Sequence, residues 1–108
     1  MRRFPCPYLE SEVDLTGEWE RHITERHPDL LPEHRQRIVD TLAVPDQVRR
    51  SARFGSAKLF SRWYADLHRG KYVVVVVVSE QEPRVRHWII TADIARTLAP
   101  GETEWERD

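Results

Sequence analysis

Six consecutive valines at positions 73–78 constrain the fold more than any other feature of this chain. β-Branched side chains are stiff and favour extended backbone, and successive residues of a strand point to opposite faces, so the run puts apolar groups on both sides of a sheet. Such a strand is expected at the centre of its sheet. Helices should cover one face, and the N-terminal arm, the C-terminal tail or another subunit should cover the other. The apolar stretch 72–78 falls far short of the ~20 residues of a membrane-spanning helix, so a cytoplasmic protein without a membrane partner is expected.

Residues 47–53, 57–64 and 84–92 share the β-branched and aromatic character of 71–78. The gaps between these segments are Phe54-Gly55-Ser56, residues 65–70 and residues 79–83, all long enough for hairpins and too short for parallel crossovers. An antiparallel meander of about four strands follows. Ahead of it, Leu15, Trp19 and Ile23 recur at helical spacing after Thr16, a good N-cap, with Glu18 and Glu20 in the first turn and Pro28 as the stop. Pro32 suits the first position of a second helix carrying Ile38, Val39 and Leu42 on one face and ending at Val44-Pro45. Residues 12–15 read as a short edge strand. Residues 1–9, with Pro5 and Pro7 flanking Cys6, read as an irregular arm on a core of residues 10–105. The tail suggests a helical turn through Ile94 and Leu98, a break at Pro100-Gly101, and an acidic end in which Trp105 packs back. The expected class is thus α+β, two N-terminal helices packed on an antiparallel sheet, in one domain of 108 residues.

Seventeen basic side chains balance eighteen acidic ones, so any nucleic-acid surface must be local. Cys6 has no partner for an internal disulfide, and no metal-ligand spacing, glycine-rich phosphate loop or serine elbow is present, which leaves the chain without an expected cofactor or metal. One asymmetry stands out. Between Gln47 and Tyr72, Arg49, Arg50, Arg53, Lys58, Arg62, Arg69 and Lys71 face Asp66 as the sole acid, interleaved with Phe54, Phe60, Trp63, Tyr64 and Tyr72. Cations and rings from one hairpin suit RNA phosphates and bases; the alternative is a solvated basic face whose rings point into the core.

Strand alternation places Arg62 and Tyr64 together, with Ser61 and Trp63 opposite. A guanidinium and a phenol can hold a scissile phosphate when a ribose 2′-hydroxyl attacks, and Lys71 can add a second charge. His27, at the end of the first helix, lies where the helix dipole favours the imidazolium, which suits a proton donor as well as a simple capping residue. His22 reads as a core-edge histidine with a supporting role as the alternative, and it lies too far round the helix from His27 to share a metal. His34, His68 and His87 read as structural or surface residues. Glu25 and Asp93 are the acids placed beside these groups.

Taken in order, Leu15-Thr16 with Trp19, His22-Ile23, Arg26-His27-Pro28, Pro45-Asp46-Gln47-Val48, the stretch 60–64, Lys71-Tyr72 and Trp88-Ile89-Ile90-Thr91-Ala92 resemble the phage- and bacteria-associated nuclease domains grouped with barnase, EndoU, colicin and RelE toxins. The resemblance implies helices followed by an antiparallel sheet and a toxin or phage-defence endoribonuclease that needs no metal. It further implies His27 as general acid or base, Arg62 and Lys71 as phosphate cations, Tyr64 as an orienting group and Thr91 as a hydroxyl at the site floor. RNA would be the substrate, an antitoxin or immunity protein a partner, and a homodimer is compatible with the valine-rich sheet. The alternatives are an RNA- or protein-binding module without chemistry, and an assembly domain.

Overall fold

A computed structural model describes residues 1–53 and 56–108. In chain order these form β1 (Arg2–Cys6), a 3-10 turn (Pro7–Leu9), β2 (Ser11–Leu15), α1 (Gly17–Arg26), α2 (Arg35–Ala43), β3 (Gln47–Ser51), β4 (Ala57–Tyr64), β5 (Lys71–Glu80), β6 (Arg86–Ala95) and β7 (Gly101–Glu106). The strands make one sheet in the order β1-β2-β6-β5-β4-β3-β7. The chain is α+β, but the expected antiparallel sheet of about four strands is corrected to a mixed sheet of seven among the described residues. Strands flank the helices in sequence on both sides, and β2 runs parallel to β6, meeting it at Asp14 and Trp88.

Residues 1–9 are not an irregular arm. Phe4 and Cys6 are buried on alternate positions of β1, whose register with β2 pairs Phe4 with Val13 and Cys6 with Ser11. Pro5 is tolerated because β1 is an edge strand, where a missing N–H need not break a ladder. β2 in turn lies inside the sheet rather than at its edge. The acidic tail forms β7 on the free edge of β3, with Arg50 opposite Glu102, so an acidic strand is matched to a basic one. Ile94 belongs to β6 and not to a helical turn, and Trp105 lies in β7 with its ring centroid 6.0 Å from that of Tyr8. The β3–β4 turn was expected at Phe54-Gly55-Ser56, whose first two residues lie outside the described ones.

Thr16 caps α1, its hydroxyl accepting from the Trp19 N–H at 3.3 Å, and α1 stops at His27 before Pro28 as expected. α2 starts at Arg35, three residues after the expected Pro32. The intervening residues are held in successive turns, with Leu30 N–H and Leu31 N–H donating to the His27 carbonyl and His34 N–H to that of Leu30. The reason is burial: Leu30 and Leu31 are fully enclosed in the core, which a helix begun at Pro32 does not itself require.

Both helices lie on one face of the sheet, α1 against β6 and α2 against β1, β5 and β4. Val73, Val75 and Val77 point into that side with Phe60, Ile89, Ala92, Ile23, Ile38 and Leu42. Val74, Val76 and Val78 point the other way and are half-buried. Part of their cover is the strap joining β6 to β7, since Thr97, Leu98, Ala99 and Pro100 border the same cavity as Val74 and Val76.

Candidate functional site

The face turned away from the helices carries a cleft of about 430 Å³. Its floor is built by strand alternation across four neighbours: Arg49 from β3, Leu59 and Ser61 from β4, Val74 and Val76 from β5, and Thr91 and Asp93 from β6, with the strap as its rim. The volume falls within the range of small-ligand sites, and the walls combine aliphatic surface with a few convergent polar groups. A smaller hollow continues from Ser61 past Gln47, Trp63 and Tyr72 towards Glu106 and Arg107.

The polar groups of the cleft are incompletely satisfied. Ser61 is 1 % exposed, and its Oγ has no hydrogen-bond partner among the described residues. Burying a hydroxyl unpaired is unfavourable, so a ligand acceptor or donor there recovers the lost bond. Arg49 donates from Nη2 to the Gly101 carbonyl at 3.2 Å, which leaves other N–H groups of its guanidinium for a further acceptor. Burial raises the Asp93 carboxyl above the usual carboxylate range; the nearby His27 charge opposes this, and Asp29 adds to it. At the end of the adjoining hollow Trp63 is 44 % exposed and meets Tyr72 edge to face, ring centroids 4.9 Å apart. Asp46 holds this corner, its Oδ2 accepting from the Trp63 N–H at 2.8 Å while Oδ1 pairs with Arg107.

The residues singled out in the sequence are divided among several places. Thr91 lines the cleft, and His27 lies near enough to Asp93 to act on its charge. His27 caps α1 through its N–H to the Ile23 carbonyl. Arg62 and Tyr64 do point together, but towards the helices. Tyr64 is 7 % exposed, and its hydroxyl lies 3.0 Å from Thr41 Oγ1 and 3.1 Å from the Arg37 carbonyl oxygen, while the Arg62 and Arg37 guanidiniums lie 5.3 and 4.9 Å from its ring centroid. Burial pushes the Tyr64 phenol above its ordinary pKa. Lys71 is turned back on its own loop, donating to the carbonyls of His68 and Gly70 at 2.8 and 3.2 Å. His22 packs its ring against Trp19 and borders a surface hollow with Glu25, on a face of α1 separate from the cleft.

The cations of the basic hairpin also separate. Lys58 and Arg50 converge on Glu104, at 2.5 and 3.6 Å. Arg53 borders an apolar hollow next to the cleft, with Leu59, Val76, Ile90 and Thr91, and Arg69 lies exposed in the β4–β5 turn. Arg49 is the hairpin cation in the cleft itself. Ser61 and Asp93 share the cleft with Thr91, and Trp63 stands in the adjoining hollow. Their signal in the sequence is the two-residue spacing of 61 to 63 and 91 to 93, which places each pair on one face without saying which face stays open.

Among the described residues, no group of three or more His, Cys, Asp or Glu side chains could hold a metal ion, and no helix is long and apolar enough to cross a membrane. No protein-family model matches the chain, and neither the curated proteins nor the solved structures offer a match.

Proposed function

We propose that the protein binds single-stranded RNA on the sheet face its helices leave bare, one nucleotide seated in the Arg49–Asp93 cleft and a neighbouring base against Trp63 and Tyr72. The observation that carries this reading is the cleft itself: a nucleotide-sized space with an unpaired buried Ser61 hydroxyl, a guanidinium with free N–H groups, and beside it an aromatic pair whose Trp63 is exposed. Sheet faces with cations and stacking rings receive splayed bases, since each base offers a π-face and each nucleotide a phosphate. The near-neutral chain favours a local contact of a few nucleotides over broad electrostatic coating.

A second reading, RNA cleavage through side-chain proton transfer, is favoured by the raised pKa of Asp93 beside Thr91 and within the field of His27. In that reaction Asp93 takes the proton of a ribose 2′-hydroxyl as its oxygen attacks phosphorus. The product is a 2′,3′-cyclic phosphate, and the departing 5′-oxygen is protonated by His27 or water.

Both readings are tested with fluorescent ten-nucleotide RNA in EDTA. Binding that weakens with salt, and weakens about tenfold or more in Arg49→Ala and Trp63→Ala, is expected. Equal affinity of wild type and both variants would overturn the interface. Fragments ending in cyclic phosphate that disappear in Asp93→Asn would establish the chemistry, and intact RNA on a saturated protein would leave binding alone.

A further inference from the structure

A second cavity, of about 400 Å³, lies where β1, β2 and the start of β6 meet, bordered by Arg3, Asp14, Arg84, Arg86 and His87. Asp14 organises this corner. Its carboxylate is 17 % exposed and forms ion pairs with Arg3, whose Nε lies 3.3 Å from one oxygen, and with Arg86, whose Nε lies 3.9 Å from the other. A guanidinium has five N–H donors, so engagement through Nε leaves the outer Nη groups of both arginines available to a second acceptor. Arg86 also lies over the Trp88 ring, 4.9 Å from its centroid, which limits the directions its fork can take. Arg84 joins them from the loop before β6 and has no ion-pair partner among the described residues. The buried His87 ring is fixed by a 2.6 Å contact between Nδ1 and Ser79 Oγ, which leaves its Nε2 unengaged by that contact.

We propose that this corner is a binding site for a phosphate dianion carried as a monoester, its terminal oxygens received by Arg3, Arg84 and Arg86, with Asp14 as the group that orients two of them. Three guanidiniums arriving from β1, the β5–β6 loop and β6 match three terminal oxygens arranged around phosphorus better than the two coplanar oxygens of a carboxylate. Glu12 borders the cavity and is its opposing charge, so three cations act against the two carboxylates of Glu12 and Asp14. The phosphate can belong to the 5′ end of a nucleic-acid strand or to a small phosphorylated metabolite. The corner does not depend on the RNA interface.

The test titrates the full chain with inorganic phosphate, reading the arginine Nε–H resonances by NMR, and then compares 5′-phosphorylated with 5′-hydroxyl decauridylate by fluorescence. Saturable shifts at Arg3 and Arg86 are expected. Arg84→Ala and Arg86→Ala should each weaken phosphate about tenfold or more, in keeping with the loss of a charged hydrogen bond. Arg21→Ala, the same loss of charge on α1, should leave it unchanged. A 5′-phosphorylated strand that binds about tenfold tighter than its 5′-hydroxyl twin assigns the site to strand ends. Equal strands together with saturable inorganic phosphate assign it to a small phosphorylated molecule, and phosphate binding without any RNA binding would sink the interface on the bare face while this corner stands. Absence of saturable shifts with inorganic phosphate, together with equal strands, would overturn the proposal.

Discussion

Lys58 Nζ and Glu104 Oε1 lie 2.5 Å apart although β3 runs between their strands. The register explains how. Val48 pairs with Trp105 and Arg49 with Thr103, so Glu104 is the extra residue of a bulge and turns from the ladder towards Lys58, Arg50 and the Tyr8 hydroxyl. One carboxylate thus joins the acidic tail, the basic hairpin and the turn after β1.

Glu104→Gln should lower stability by about 1–3 kcal/mol at pH 7, because it leaves Lys58 without its charged partner. Burial pushes the Glu104 carboxyl up, but hydrogen bonds from Lys58 and Tyr8 and the charges of Lys58 and Arg50 outweigh it, so its folded pKa is depressed. The stabilisation is therefore present above the unfolded glutamate pKa and is lost as pH falls through the lower folded value. Thermal melts of both proteins should converge below that value; a constant gap across pH would refute the assignment.

Asp93→Asn should do the reverse. Burial raises the folded Asp93 pKa above its unfolded value, so between the two the native state binds more protons and wild-type stability falls as pH rises. The variant should be more stable than wild type above the folded pKa, and the advantage should vanish as pH falls through the unfolded value. A destabilised variant at pH 8 would show that the carboxylate is held by contacts the geometry does not contain.

Gly70 has φ +98°, and a Cβ built there would lie 2.5 Å from Trp63 Cζ2. Gly70→Ala should cost about 1–3 kcal/mol through backbone strain and displace the Trp63 ring. Near-UV circular dichroism should then lose part of the Trp63–Tyr72 signal, and RNA affinity should drop with it. Unaltered spectra and affinity would show that the ring is not set by this contact.

Tyr64→Phe and Trp63→Ala test the two faces of β4 against one another. Tyr64→Phe removes a buried hydroxyl bonded at Thr41 and the Arg37 carbonyl and should cost about 1 kcal/mol in urea denaturation with RNA affinity unchanged. Trp63→Ala loses the edge-to-face contact with Tyr72, worth about 0.5–1.5 kcal/mol of stability, and in addition should reduce RNA affinity by about 1–3 kcal/mol. The opposite pattern of affinities would place the binding surface on the helix side.

Local chemistry determined much of the chain by itself. The valine run is a central strand, with 73, 75 and 77 inside. The Thr16 cap and the Pro28 stop delimit α1, because both act within one turn of backbone. Strand alternation in β4 by itself separates Arg62 and Tyr64 from Ser61 and Trp63. What alternation lacks is a sign: it sorts residues into two faces, and only the packing of α2 over β4 and β5 decides that Tyr64 is enclosed and Trp63 is left open. The same holds at the termini. A proline-rich stretch and an acidic one have little strand character of their own, and β1 and β7 form because β2 and β3 present edges with matching register and charge, a condition set by residues far away in sequence.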